Sequence, residues 1–224
     1  MRIHFLLLIC CSAVLVFGLG CNASESAVPA SPVAVDSSLH REWKKENLAL
    51  ITAAIPLLQT GDIVLRTGAD ATSHALRAMN QKNRLFSHCG IVSVEDGRIW
   101  IYHSIGGEDN PDAHLRRETP EHFFSPVSNE GGGACRYPLS DSQKAGIVRR
   151  AQQWFREGRT FDMEFDLATD TQLYCAEFVY KAFVQSGFAS NRFSKSKAGG
   201  FEYIAVDDLY SHPEAKIICS FQYK

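Results

Sequence analysis

The sequence shows no excess of charge of one sign, no internal repeat and no abundance of Gly or Pro. Its 23 Lys and Arg residues nearly balance 25 Asp and Glu residues, which gives a formal net charge of −2. A nucleic-acid partner is not expected, because proteins that bind nucleic acid usually carry a clustered basic surface. With 16 Gly and 8 Pro in 224 residues, the body of the chain is neither fibrous nor disordered. Its 45% hydrophobic content suits one well-packed globular domain.

The long apolar run at the N-terminus is too short to span a membrane. Phe5 to Phe17 falls below the ~20 residues that a membrane-spanning helix needs, and it follows a positive charge at Arg2. This arrangement predicts a signal peptide and an exported protein. The run ends in 'GLGC', which resembles a bacterial lipobox except for a glycine at its first position. We therefore predict that residues 1–21 are a lipoprotein-type signal peptide with lipid attached at Cys21. Plain secretion is the alternative.

A low-complexity stretch separates this segment from the folded part. Residues 22–39 are rich in Ala, Ser, Pro and Val without apolar periodicity, which is typical of a flexible tether. The predicted organisation is a signal peptide, a tether and one domain over residues 40–224, held at the bacterial cell envelope by a lipid anchor. The domain contains Cys89, Cys135, Cys175 and Cys219. Exported proteins can form disulfides, and a bond between Cys135 and Cys219 is left open.

Hydrophobic periodicity predicts an α+β fold, with a small, mostly antiparallel sheet packed against helices. Helices are expected near residues 41–58, 70–80, 140–157 and 175–187. The third helix opens with a capping box of Ser140 and Gln143. Strands are expected at residues 63–66, on both sides of Asp96-Gly97, at 135–138 and at 215–223. The glycine-rich 'NEGGG' of residues 129–133 is predicted to end a loop.

The predicted hairpin brings two histidines to one face of the sheet. The Asp-Gly pair at 96–97 favours a two-residue turn, and this turn places Gly90 opposite His103. Directly opposed residues share a face, so His88 and His103 become diagonal neighbours with backbones ~7–8 Å apart. Gly90 leaves space for the imidazole of His103. Cys89 points to the other face, away from the pair.

Cys175 has the setting of a reactive thiol. It lies in the first turn of the predicted helix in 'QLYCAEFVYKAF', where the helix dipole favours a thiolate. A cysteine, a histidine base and a second polar group that orients the base are the parts of thiol catalysis. A base in its imidazolium form would lower the cysteine pKa further. Spacing alone leaves the other interpretation open, since lone cysteines are often buried hydrophobes and lone histidines are often packing residues.

Five motifs, spread over about residues 60–219, resemble the NlpC-type cysteine hydrolases in their circularly permuted, papain-like form: 'GDIVLRTG', 'SHCGIV', 'IYHS', 'FDMEFD' and 'YCAEFVYKAF'. They are most similar to the YiiX-like branch. In this permuted group the histidine strand precedes the cysteine helix, as in this chain. The resemblance implies a permuted papain-like fold with Cys175 as nucleophile, His88 as general base and His103 as the third, orienting residue. We therefore predict that the Cys175 helix packs across the face of the sheet that carries the two histidines. The YiiX-like branch more often has a glutamate at that third position.

The resemblance also implies supporting residues. Glu177 matches an acid that follows the nucleophile in the family, although the helix dipole explains a first-turn glutamate equally well. Tyr174 either shapes the oxyanion region or packs. Asp62, in the 'GD' motif, is expected to hold a turn. Arg66 is a weaker candidate for contact with a substrate carboxylate or phosphate, the alternative being an arginine that extends along the strand.

The resemblance implies a cysteine hydrolase that cleaves an amide bond, with cell-wall peptides as one substrate class and with no cofactor. Acyl transfer or ester hydrolysis on lipid is the alternative, because the permuted superfamily includes lecithin retinol acyltransferase and an anchored enzyme faces a membrane. A non-catalytic binding lipoprotein is the third possibility. The expected partners are the membrane and a peptide or acyl amide or ester at the envelope. A zinc site of His88, Cys89 and His103 is not favoured, because Cys89 lies on the wrong face.

Overall fold

The computed structural model describes residues 37–106 and 113–224. The predicted signal peptide, the lipidation site Cys21 and nearly all of the tether lie outside the described residues. The folded part begins with helix α1 at Ser37, close to the predicted domain start at residue 40. In the part of the chain that the structure describes, no helix combines the length and the apolar character needed to cross a membrane.

An antiparallel six-stranded sheet forms the centre of the domain, with strands in the spatial order β4-β3-β2-β1-β5-β8. Its strands are β1 (Ile63–Gly68), β2 (His88–Glu95), β3 (Arg98–His103), β4 (Arg116–Glu118), β5 (Asn129–Arg136) and β8 (Lys216–Gln222). A second sheet pairs β6 (Ser196–Ala198) with β7 (Phe201–Tyr203). The helices are α1 (Ser37–Ala54), α2 (Ala71–Ala78), α3 (Pro120–Phe123), α4 (Asp141–Arg156) and α5 (Cys175–Val184). The predicted α+β class is confirmed.

Alternation along the strands divides the core into two layers, one on each face of the sheet. The face under α4 and α5, which we call the α4/α5 face, contains Ile63, Leu65, Cys89, Ile91, Trp154, Phe178 and Val179. The opposite face, which we call the α1/α3 face, contains Ile51, Val64, Val92, Ile101, Phe123 and Phe124. Consecutive residues of β1 and β2 therefore belong to different layers, and this determines which side chains meet in the candidate site.

The helix boundaries follow the predicted local signals. α2 starts after Asp70, whose side chain accepts a hydrogen bond from the Ser73 backbone N–H at 2.8 Å. α4 begins with the capping box of Ser140 and Gln143, and the chain leaves it through Gly158 at φ +65°. These caps satisfy backbone groups that a helix end leaves unpaired.

The hairpin between β2 and β3 has the predicted register. Asp96 and Gly97 have φ values of +49° and +76°, and Val92 pairs with Ile101. Positive φ at both central residues defines a type I′ turn, whose twist matches that of the flanking strands. The register places His88 and His103 together on the α1/α3 face.

The glycine-rich segment differs from its prediction as a loop. It lies within β5, between β1 and β8. A Cβ atom on Gly132 would lie 2.5 Å from Cδ1 of Phe124 and 2.9 Å from Cζ of Phe221. Glycine has low strand propensity, but here the bare backbone lets two aromatic rings pack directly on the strand.

Cys135 and Cys219 are free thiols on the adjacent strands β5 and β8. Cys135 packs in the core of the α4/α5 face, and Cys219 packs against the core of the α1/α3 face. Their side chains therefore point to opposite sides of the sheet, and the disulfide that the sequence left open does not form.

Candidate active site

Two imidazoles meet where β2 begins and β3 ends. Nε2 of His88 lies 2.9 Å from Nδ1 of His103, and the ring centroids are 5.0 Å apart. Their exposed fractions are 6% and 0%. A Cβ atom on Gly90 would lie 3.1 Å from Cβ of His103, so glycine at this position allows the approach. The diagonal pairing of histidines predicted from the hairpin is present.

Phe123, the last residue of α3, covers the histidine pair. Its ring centroid is 5.8 Å from that of His88 and 5.3 Å from that of His103. Arg66, the cross-strand partner of His88, places its guanidinium 4.7 Å from the same ring centroid and donates to the Phe123 carbonyl at 2.9 Å. Arg66 is 9% exposed, so it does not extend into solvent along the strand. Its positive charge is held beside the imidazoles.

The cysteine helix α5 was predicted to cover the histidine face. It covers the opposite face of the sheet instead. Phe178 and Val179 of α5 pack with Cys89 and Ile91 on the α4/α5 face. Side chains alternate along β2, so a helix on Cys89 lies on the opposite side from His88. The prediction that α5 packs across the histidine face is therefore wrong.

Cys175 nevertheless approaches the histidine strands, because it is the first residue of α5 and lies where the β2–β3 ladder opens. The ladder ends at Ile91 and Tyr102. Beyond this pair, Cys89 at the start of β2 packs in the same core cluster as Cys175, and its backbone N–H contributes to lowering the pKa of the Cys175 thiol. On the β3 side, Ser104 donates its hydroxyl to the Leu173 carbonyl at 2.5 Å, just before Cys175. Cys175 thus lies beside the start of β2, in the core cluster of the α4/α5 face that also contains Cys89.

Hydrogen bonds to the sulfur lower the pKa of the Cys175 thiol. The largest contribution comes from the Cys89 side chain, which keeps its own proton and donates it. The backbone N–H groups of Ala176, Cys89 and Cys175 act in the same direction, and burial opposes them. A first-turn position at the positive end of the helix dipole adds to this stabilisation. The arrangement favours a thiolate.

The histidines, in contrast, are held neutral. Burial lowers the pKa of His88 well below its usual value, and repulsion from Arg66 and Arg116, and from His103 when it is protonated, lowers it further. Burial also lowers the pKa of His103 to about 4. The expectation that an imidazolium at His88 stabilises the thiolate does not hold for the resting protein at neutral pH, because this imidazole is in its basic form.

Glu118 on β4 is a site residue that the sequence did not predict. Its Oε2 lies 3.1 Å from Nε2 of His103, and its side chain is 10% exposed. Burial alone would raise the pKa of Glu118, but contact with His103 and nearby positive groups hold it at about 2. The three residues of β4, Arg-Arg-Glu, show no apolar alternation that would predict a strand. In the sequence, Thr119-Pro120 indicates the start of a helix and places Glu118 just before α3.

The predicted supporting residues have structural partners. The Tyr174 hydroxyl accepts from the Ile204 backbone N–H at 2.8 Å, and Glu177 accepts from the Tyr174 backbone N–H at 3.1 Å. Glu177 also lies 2.8 Å from Lys181, while burial raises its pKa to about 7. Both residues hold the start of α5.

Asp62 lies in the turn before β1, where it accepts from the Gln59 backbone N–H at 2.8 Å. Its carboxylate also receives two hydrogen bonds from Arg136, at 2.7 and 2.8 Å. A carboxylate with these partners fixes the turn, which is the role expected from the motif.

The residues do not form a metal site. Among residues 37–106 and 113–224, no three His, Cys, Asp or Glu side chains converge in a way that could hold an ion. The facing nitrogens of His88 and His103 share a hydrogen bond, which a metal bound to both would have to replace. Cys89 points to the α4/α5 face and cannot join them.

No protein-family model matches the sequence, and no curated protein matches it. The structure is similar to the crystal structure of a protein described as the metalloprotein YiiX from Escherichia coli O157:H7. The TM-score is 0.60 at 15% sequence identity, and the match covers 73% of this chain and 98% of that one. The chain therefore has the fold of YiiX, in agreement with the YiiX-like resemblance of its motifs.

Proposed function

We propose that this protein is a cysteine hydrolase that cleaves an amide bond through Cys175, His88 and His103. One observation carries the proposal: a thiol with a lowered pKa is held where the β2–β3 ladder opens, next to the strand that bears a neutral, buried imidazole pair. Perturbed pKa values in both a nucleophile and a base are characteristic of functional sites. A cysteine that served only for packing would have its pKa raised by burial, as Cys135 does.

The proposed reaction begins with attack of the Cys175 sulfur on the acyl carbon, while the proton of the thiol passes to His88. The carbonyl oxygen becomes an oxyanion near the backbone N–H groups of the first turn of α5. The C–N bond then breaks, and His88 returns the proton to the leaving amine, which leaves a thioester on Cys175. Water attacks the thioester, again with His88 as base, and releases the acid and the free enzyme.

Acyl transfer or ester hydrolysis on lipid uses the same first steps and differs in the substrate and the final acceptor. We propose that the chain is exported and anchored at the cell envelope through lipid on Cys21, and a membrane-bound enzyme meets both cell-wall peptides and lipid. Amide hydrolysis is favoured by the resemblance of the motifs to cysteine hydrolases. A binding lipoprotein without catalysis would keep the fold but would not need the lowered pKa of Cys175.

A metal-dependent function is the second candidate, because the structurally similar YiiX is described as a metalloprotein. The hydrogen-bonded histidine pair and the orientation of Cys89 toward the opposite face of the sheet argue against a comparable site in this chain. Elemental analysis of the purified protein tests this directly. A stoichiometric metal that is lost on substitution of His88 or His103 would favour the metal function.

The decisive experiment incubates the purified protein with cell-wall fragments and, separately, with membrane lipid extracts. Mass spectrometry then follows the released products and any acyl adduct on the peptide that contains Cys175. Amide hydrolysis predicts new peptide amines and a thioester at Cys175. Fatty-acyl adducts would favour the lipid alternative. Cys175→Ala is the control, and Cys135→Ala is the matched variant with another buried cysteine removed. Turnover that survives in Cys175→Ala excludes the proposed mechanism.

A further inference from the structure

We propose that Glu118 is a positioning residue that fixes the tautomers of both imidazoles. Nδ1 of His88 then keeps the lone pair that can accept a proton. The catalytic meaning of this inference rests on the proposed function, but the tautomers themselves do not. Glu118 thereby joins the three residues proposed above. Each ring nitrogen that faces a partner then carries either a proton or a lone pair.

The position of Glu118 follows from the register of β3 and β4. His103 pairs with Arg116, and Ile101 pairs with Glu118, so these side chains share the α1/α3 face. Glu118 then reaches diagonally to His103, with Oε2 3.1 Å from Nε2. The carboxylate also has Arg116 at 3.5 Å and His122 at 3.6 Å on its outer side. It is thus a negative charge fixed at the far end of the histidine pair.

The first proton is assigned by this contact. An ionised carboxylate presents only lone pairs, so a bare ring nitrogen 3.1 Å away in a buried site would be repelled. Nε2 of His103 therefore carries the hydrogen, although this N–H is not well aligned with the carboxylate oxygen. Because His103 is neutral, its Nδ1 has no hydrogen and acts as an acceptor.

The second proton follows from the first. Nδ1 of His103 lies 2.9 Å from Nε2 of His88 and can only accept. Nε2 of His88 therefore carries a hydrogen and donates it. His88 is also neutral, so its remaining nitrogen, Nδ1, keeps a lone pair. A single carboxylate thereby places the basic nitrogen of His88 on the side away from His103.

This arrangement has a chemical consequence. If the ring protons were reversed, His103 would donate from Nδ1 to Nε2 of His88, and Nδ1 of His88 would be protonated and unable to accept a proton. A base in the wrong tautomer is inactive even when its position is unchanged. A carboxylate that holds the second nitrogen of a functional histidine is a known means of fixing its tautomer.

The test uses nitrogen-15 NMR of the full chain labelled at histidine, in which protonated and bare ring nitrogens have distinct shifts. In the wild type, we expect protonated Nε2 and bare Nδ1 in both His88 and His103. Glu118→Gln should give a mixture of tautomers in both rings, because a neutral amide can present either an oxygen or an NH2 group to His103. Glu121→Gln removes one exposed negative charge from the adjacent helix and should leave the shifts unchanged.

A second readout is turnover. Glu118→Gln should lower kcat by about 10- to 100-fold, the range for groups that orient a functional histidine, with little change in KM. Glu121→Gln should match the wild type. Bare Nε2 in either ring of the wild type overturns the inference, whether or not Glu118→Gln folds. Unchanged tautomers in a folded Glu118→Gln overturn it as well. Failure of the proposed function appears separately, as absence of turnover in the wild type.

Discussion

Cys89 of β2 and Cys175 of α5 pack in the same core cluster although they lie on different elements, and hydrogen bonding between their side chains is the largest cause that lowers the pKa of Cys175. Cys89 is the donor, and burial together with its contact to Cys175 raises its own pKa well above the usual value. The residue next to the proposed base is thus a hydrogen-bond donor to the proposed nucleophile. His88 and Cys89 are consecutive residues of β2, and their side chains point to opposite faces of the sheet.

The Cys89→Ala variant should raise the pKa of Cys175, because it removes the largest contribution that lowers it. The rate of alkylation by iodoacetamide should follow thiolate formation at a higher pH than in the wild type, with mass spectrometry identifying the Cys175 peptide. Cys135→Ala removes an equally buried thiol and is the control. Identical pH profiles for the Cys89→Ala and wild-type proteins would contradict the assigned hydrogen bond.

Substitution of His88 should separate proton transfer from thiol ionisation. His88→Ala should lower kcat by about 10²- to 10⁴-fold, the usual contribution of a general base. The pH midpoint of Cys175 alkylation should stay close to that of the wild type, because His88 is neutral in the resting protein. A midpoint shifted strongly upward would mean that a His88 imidazolium does stabilise the thiolate.

The buried His103 should make the protein less stable in mild acid. Its pKa is lowered to about 4 in the folded state, so between pH 6.5 and 4 the unfolded chain binds more protons. Stability from this group is present above pH 6.5 and is lost as the pH falls through this window. The expected loss is about 2 kcal/mol between about pH 7 and pH 5.

Urea unfolding of the wild type and of His103→Gln at these two pH values measures the difference. The glutamine variant should be less stable at neutral pH but should lose less on acidification. Equal losses in the two proteins would show that His103 is not held neutral by the fold.

Gly132→Ala should destabilise the sheet, because the added methyl would lie 2.5 Å from the Phe124 ring. Overpacking of this kind costs about 1–3 kcal/mol. Glu130→Ala, at an exposed position of the same strand, should change stability by only about 0.5 kcal/mol. Thermal or urea unfolding gives both values. A Gly132→Ala protein as stable as the wild type would mean that the ring moves aside without cost.

The proposed anchor predicts that the wild-type protein is found in the membrane fraction and carries lipid on Cys21. Cys21→Ser should release the domain in soluble form, since removal of the acyl chains removes the membrane affinity. Fractionation followed by immunoblotting, with a labelled fatty acid to detect acylation, provides the measurement. Equal partitioning of the two proteins would favour plain secretion.

The hairpin and its histidines could be predicted from the sequence because local chemistry determines them. An Asp-Gly turn fixes the register, the register fixes the faces, and Gly90 indicates the close approach of His103. The capping box of α4 and the cap of α2 are similarly local. Each of these features depends on residues a few positions apart.

The parts that could not be predicted depend on contacts distant in sequence. Glycines in β5 are acceptable in a strand only because Phe124 and Phe221 fill the space above them. Glu118 becomes a site residue only through the pairing of a three-residue strand. The face that α5 covers is set by the layer to which Ile91 and Cys89 belong. The sequence of the helix does not indicate which face of the sheet it covers.

The first helix of the domain and its last residue are tied together. Asn47 of α1 donates to the carbonyl of Lys224 at 3.3 Å and accepts from the backbone N–H of the same residue at 3.2 Å. Strand β5 pairs with β1 on one side and with the edge strand β8 on the other. Its second partner, β8, follows β5 in the chain only after α4 and α5, so the sheet is completed after both helices have been synthesised. For a chain that we propose to be exported, this order delays closure of the sheet until β8 has been delivered. A translocation channel that requires an unfolded substrate would benefit from that delay.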